Sequence, residues 1–144
     1  MKPVGSKFEY EEERNDNLMS VYHNLISNCA TIRMRELMVE LVNSPSARFW
    51  VSEERASIVI SSMMRGCSLD EMSGMKREMF TEIYRRVMEM QKAYPGISMP
   101  EAIFRVIRQP APKFYLTPGS AKVIIHKIKK KWYEKRNRRL RHLF

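Results

Sequence analysis

The side chains that could carry catalytic or metal chemistry are few in this chain and lie far apart. The histidines His23, His126 and His142 have no neighbours at metal-ligand spacing. Cys29 and Cys67 form no paired-cysteine motif and lie outside the clusters that favour a thiolate, so we expect both to be small apolar fillers. A phosphate-binding glycine loop, a nucleophile elbow and a pair of catalytic carboxylates are all missing from the sequence. We therefore expect no enzymatic activity, no metal ion and no cofactor.

Positive charge, by contrast, is concentrated at the C-terminal end. The 144 residues carry a formal net charge of +10, and residues 113–144 hold eleven Lys and Arg against one acid, Glu134. The rest of the chain is neutral overall, although residues 9–16 are acidic. So dense a block of like charge is typical of a surface that binds a polyanion.

A nucleic acid is the polyanion that this block predicts. The residues expected to contact it are Lys113, Ser120, Lys122, His126, Lys127, Lys129, Lys130, Lys131, Lys135, Arg136, Arg138, Arg139 and Arg141. Ser120, Lys122, His126 and Lys127 are the candidates for contacts to base edges, and the remaining Lys and Arg are expected to contact phosphates.

Composition places the chain among globular proteins of the cytoplasm. With 44% apolar and 29% charged residues it has the balance of a folded domain. No stretch approaches the ~20 apolar residues of a membrane span, and Met1–Lys7 lacks the apolar core of a signal peptide. The two isolated cysteines fit a reducing cytosol. We expect neither export nor a membrane partner.

The elements that must position the basic block emerge from an internal repeat. A shift of 65 residues aligns Pro45–Ser52 with Pro110–Thr117, and the match continues into the aliphatic residues 58–60 and 123–125. Aligned residues that differ are still of the same physical type, as where Trp50 aligns with Tyr115. The repeat predicts an all-α protein of two three-helix units, residues 1–66 and 74–144, joined by a linker at 67–73.

Apolar spacing and capping residues place the helices within each unit. First helices are predicted at 11–27 and 74–93 and second helices at 32–43 and 99–108, the last beginning with a capping box of Ser98 and Glu101. Third helices are predicted to begin after Ser52 and after Thr117. No helix breaker follows Pro118 before Phe144, so the last helix has room to extend ~39 Å. The sequence leaves open whether its end is ordered without a partner.

The end of each unit resembles the second half of a helix-turn-helix DNA-binding motif. Both Val51–Val59 and Leu116–Ile124 have an apolar residue and a capping hydroxyl, then a small residue near the helix start and aliphatic residues behind it. The connections to the preceding helices are longer than the 3–4 residues of that motif, and its turn glycine is missing. The resemblance implies recognition of a major groove by the helix N-terminus. The whole chain also resembles small uncharacterised basic proteins of bacterial mobile elements.

Three functions fit these features, and the sequence favours the first. It is a DNA-binding protein acting through the second unit, in a regulatory or mobile-element accessory role, because Glu53 and Glu54 at the start of the first unit's third helix would repel phosphate. The second is an RNA-binding accessory of a reverse-transcriptase-type or other ribonucleoprotein complex. The third is a protein-interaction adaptor or homo-oligomer, which would use the first unit and the acidic N-terminus.

Overall fold

The computed structural model describes residues 9–30 and 33–143, and the protein is all-α, as predicted. Across these residues six helices follow one another, and no strand is present. They are α1 (Glu11–Ser27), α2 (Met34–Val42), α3 (Glu53–Met64), α4 (Gly74–Ala93), α5 (Met99–Ile107) and α6 (Pro118–Leu143). Each lies within a residue or two of its predicted range; the predicted start of the second helix at residue 32 and the predicted end of the last at Phe144 lie outside the described residues.

Hydroxyl side chains begin three of the helices as the sequence predicts. Ser52 Oγ accepts a hydrogen bond from the Arg55 N–H at 3.1 Å, and Thr117 Oγ1 accepts one from the Ser120 N–H at 3.1 Å. Ser98 Oγ accepts from the Glu101 N–H at 3.3 Å, but the predicted capping box is only half formed. The carboxylate of Glu101 turns instead to the Arg105 guanidinium four residues on, at 2.9 Å, where it gains an ion pair.

The helices pack as two bundles that do not follow the order of the chain. We call α1, α2 and α6 the terminal bundle and α3, α4 and α5 the inserted bundle, because the second lies wholly between α2 and α6 in sequence. The core of the terminal bundle is built around Leu18, Leu41 and Ile125. The core of the inserted bundle is built around Ile60 and Phe80.

Two antiparallel connections carry the chain from one bundle to the other and back. In the first, Ser46 exchanges a pair of 3.0 Å backbone hydrogen bonds with Ala111 in the second. The Phe49 N–H donates to the Ile107 carbonyl at 3.0 Å, and the Phe114 N–H donates to the Val42 carbonyl at 3.1 Å. Ser46 and Ala111 are 65 residues apart, and the 65-residue shift turns the Phe49–Ile107 bond into the Phe114–Val42 bond, so the two connections brace each other reciprocally.

The aromatic pairs in these connections belong to the core. Phe49 and Tyr115 stack at 5.9 Å within the inserted bundle, whereas Trp50 and Phe114 are buried in the terminal bundle. Tyr115 takes a positive φ of 56°, which an L residue adopts at a cost, at the bend where the chain returns toward α6. Each connection is thereby held in both bundles.

This packing differs from the two consecutive units expected at 1–66 and 74–144. The third helix of each predicted unit packs on the first and second helices of the other: α6 contacts α1 and α2, and α3 contacts α4 and α5. The predicted linker at 67–73 consequently joins two helices of one bundle. Since α6 supplies the third wall of the terminal bundle, its first half is part of the core and not an appendage.

Candidate nucleic-acid interface

Helix α6 is fixed at one end and free at the other. Ala121 and Ile125 are buried against α1 and α2, and Ile124 and Ile128 pack at the edge of the same core. From residue 130 to residue 143 every side chain is exposed, which leaves about 21 Å of helix beyond the core at 1.5 Å per residue. We call residues 130–143 the arm. The sequence left open whether the end of the last helix is ordered. In the structure the arm is helical and continues the part of α6 that the core anchors.

Two of the lysines predicted to contact phosphate already have partners inside the protein. Lys113 pairs with the Glu78 carboxylate and lies 5.6 Å from the centre of the Tyr115 ring. Lys129 is half-buried and donates a hydrogen bond to the Tyr22 hydroxyl at 2.8 Å. Each contact holds neighbouring elements together, so a contact from Lys113 or Lys129 to phosphate would compete with it.

A third predicted residue serves the start of the helix. Ser120 Oγ accepts a hydrogen bond from the Thr117 hydroxyl at 2.9 Å, while its N–H donates back to Thr117. The side chain is exposed, yet its oxygen is engaged in the cap. A contact from Ser120 to a base edge would compete with that bond.

The other ten predicted residues are exposed and lie on more than one side of α6. Five of them line a groove that α6 forms with α1, namely Lys127, Lys130, Lys131, Lys135 and Arg138. Five do not line it, namely Lys122, His126, Arg136, Arg139 and Arg141. Cationic side chains therefore lie on more than one side of the arm.

The groove has an acidic wall that the predicted site did not include. Its volume is about 860 Å³, and Glu11, Glu12 and Asp16 of α1 lie across it from the cations of α6. Within the described ranges, none of the ion pairs closer than 4.0 Å involves a Lys or Arg of α6. The acidic N-terminal segment and the basic helix thus face each other inside one chain while the cations remain free. The clustering of acids at residues 9–16 was visible in the sequence, but their position beside α6 follows from the bundle.

Two neighbouring aromatic residues stand out on the arm. Trp132 is 51% exposed and lines the groove, with its ring parallel to that of His23 at 6.2 Å and 9°. Tyr133 is 64% exposed. Because α1 supplies His23, the stacking also ties the start of the arm to the terminal bundle.

The neighbours of α6 bear on the helix-turn-helix resemblance. In that motif the recognition helix packs on the helix before it in the chain. Here α6 packs on α1 and α2, and α5, which precedes it, packs on α3 and α4. The start of α6 at Pro118 to Lys122 remains exposed except for Ala121, so it is accessible to a ligand although its support comes from elsewhere in the chain.

Other chemistry is sparse in the part of the chain that the structure describes. No three His, Cys, Asp or Glu side chains there come together as metal ligands, and no helix there is long and apolar enough to cross a membrane. Cys29 and Cys67 are exposed, so the expectation that both fill apolar space is wrong. Both lie just beyond helix ends, Cys29 after α1 and Cys67 after α3.

In comparisons with known proteins, no family model, no curated protein and no solved structure matches this chain.

Proposed function

We propose that this is a non-enzymatic nucleic-acid-binding protein and that it binds duplex DNA through α6. The observation that carries the proposal is the set of nine exposed Lys and Arg on α6 for which no intramolecular ion pair is present within residues 9–30 and 33–143. Unpaired cations at this density repel one another, and phosphates relieve that repulsion. Binding to phosphates also releases counterions from the DNA, which supplies affinity at low salt.

The distribution of charge around α6 favours binding of the helix in a groove of the nucleic acid over binding on a flat surface. Cations on more than one side of a helix can all contact phosphates only when phosphates flank the helix on both sides. The major groove of B-DNA is ≈ 12 Å wide, and a helix with its side chains is ≈ 10–12 Å across. The deep, narrow major groove of A-form RNA does not admit a helix in this way. DNA is therefore the better partner for a straight, fixed helix.

The residues of α6 divide into two roles in this proposal. Lys122, His126 and Lys127 lie near the start of the helix and are candidates for base contacts. The cations of the arm contact phosphates and set the register without reading sequence. Such a protein suits a regulatory or mobile-element accessory role in the cytoplasm, where the two exposed thiols stay reduced.

The experiment compares DNA with RNA and two charge-matched variants. Fluorescence anisotropy is measured with a labelled DNA duplex and an RNA duplex of the same sequence, each longer than the ~39 Å helix. The variant K130Q/K131Q/K135Q removes three arm cations, and R65Q/K76Q/K92Q removes three exposed cations from the inserted bundle. We expect the first to bind DNA at least ~10-fold more weakly than the second at low salt.

Two results would overturn the proposal. Equal loss of affinity in both variants would mean that net charge, and not α6, attracts the DNA. Tighter binding of the wild-type protein to the RNA duplex would favour the RNA-binding alternative.

A further inference from the structure

The groove between α1 and α6 has two walls of opposite charge, which bulk phosphate binding does not require. The α6 wall is cationic overall, with five Lys and Arg, Lys131, Lys135 and Arg138 among them, against Glu134. The α1 wall is acidic overall, with Glu11, Glu12 and Asp16 against Arg14. A ligand made of phosphates alone would be repelled by the carboxylates. A ligand that carries phosphate on one side and N–H donors on the other satisfies both walls.

An aromatic platform lies in the same groove. One side of Trp132 is stacked on His23 at 6.2 Å with the planes 9° apart, and half of the side chain stays exposed. An aromatic ring that stacks on a neighbouring ring and stays half exposed is suited to stacking an unpaired base, as aromatic side chains of single-stranded nucleic-acid-binding proteins do. The groove volume of about 860 Å³ leaves room for a nucleotide beside the ring.

We infer that this groove holds an unpaired nucleotide of the bound nucleic acid, with the base stacked on Trp132, the backbone phosphate on Lys131, Lys135 or Arg138, and the base amino group directed to Glu12 or Asp16. The inference rests on the proposed function and narrows its ligand to a DNA duplex that ends in, or is interrupted by, unpaired bases. Adenine, cytosine and guanine carry an exocyclic amine and thymine does not, so the acidic wall favours the first three.

The test compares duplexes that differ only at one end. A blunt duplex, the same duplex with three unpaired dA residues and the same duplex with three unpaired dT residues are titrated against the full chain. Stacking of one base on an aromatic side chain is worth about 5- to 150-fold in affinity. We expect the dA overhang to bind tighter than the blunt end by a factor in that range, and the dT overhang to fall between them.

Variants separate stacking from charge. In W132L we expect the overhang and blunt duplexes to bind equally, while W132F restores part of the preference because it keeps a ring. The control Y94L removes an aromatic side chain that is 60% exposed at the end of α4 in the other bundle, and we expect its preference to match wild type. In the double variant E12Q/D16N the advantage of dA over dT should shrink to the part that stacking of the larger adenine ring supplies, whereas an unchanged advantage would mean that the carboxylates do not contact the base.

Fluorescence gives an independent readout. Of the two tryptophans, Trp50 is buried in the core and Trp132 is half exposed, so quenching by the overhang reports on Trp132. Equal affinity of the wild-type protein for blunt and overhang duplexes, an overhang preference that survives in W132L, or tryptophan emission that does not change on binding would each overturn this inference while duplex binding stands. Failure to bind any of the duplexes would overturn the proposed function itself.

Discussion

Removal of the chain after Lys131, which takes away most of the arm, tests whether the end of α6 contacts phosphate. A chain ending at Lys131 loses Lys135, Arg136, Arg138, Arg139 and Arg141 and keeps the buried part of α6. Because Ala121, Ile125 and Ile128 remain, we expect the truncated chain to fold with nearly unchanged helicity outside the arm. Its loss of affinity can then be assigned to missing contacts.

The magnitude follows from counterion release. Each neutralised phosphate contributes about 0.9 to the slope of log K against log salt. If the seven Lys and Arg of the arm each contact a phosphate, the wild-type slope approaches about −6.3, and the loss of five reduces it to about −1.8. Between 50 and 200 mM salt the wild-type affinity should then fall by about 500-fold more than that of the truncated chain.

The assay is a salt series of binding isotherms with one DNA duplex. The matched control is the full-length variant R35Q/R65Q/K76Q/R77Q/K92Q, which also loses five exposed cations but keeps the arm intact. We expect its slope to stay within about 1 of wild type. A truncated chain that keeps the wild-type slope, or a control that loses as much slope as the truncation, would refute the reasoning.

Three further predictions concern the residues that the structure places in supporting roles. K113Q and K129Q should each change the salt slope by well under the ~0.9 that one phosphate contact contributes, because both lysines already have intramolecular partners; a change of about 0.9 in the binding isotherms would contradict this. I125A should lower the free energy of unfolding by about 2–5 kcal/mol in urea denaturation, because Ile125 of α6 is buried against α1 and α2. A loss under about 1 kcal/mol would mean that α6 is not part of the core. Burial, reinforced by Glu82 and Glu78, raises the pKa of the Tyr115 phenol to about 12 from its usual value of 10.0. Because the unfolded chain therefore loses the phenol proton at lower pH than the folded chain, the free energy of unfolding should fall as the pH rises from 10 to about 12. Urea midpoints at pH 9, 10 and 11 should fall less in Y115F than in wild type.

Several features of this protein are determined by local sequence. The starts of α3, α5 and α6 follow from Ser52, Ser98 and Thr117, since a hydroxyl at the N-cap satisfies free backbone N–H groups wherever the helix lies. The basic character of α6 is likewise a property of consecutive residues. These predictions depend on neighbours within one turn of helix, and the structure agrees with them.

Tertiary structure decided which helices pack against each other. Periodicity shows that Ala121 and Ile125 need an apolar partner, but Leu41 and its aligned counterpart Val106 offer similar surfaces. The reciprocal hydrogen bonds between the two connections direct each third helix across to the other bundle. No local pattern encodes that choice, because it depends on contacts between residues 58 to 72 positions apart.

The same packing decided which charges are free. Lys113 and Lys129 look no different in sequence from Lys130, yet the fold brings Glu78 and the Tyr22 hydroxyl within reach of the first two and leaves the third in solvent. It also sets the acids of α1 opposite the arm. Composition determines how much charge a chain carries, whereas long-range packing determines which of those charges remains available to a ligand, because only the folded chain brings distant partners together.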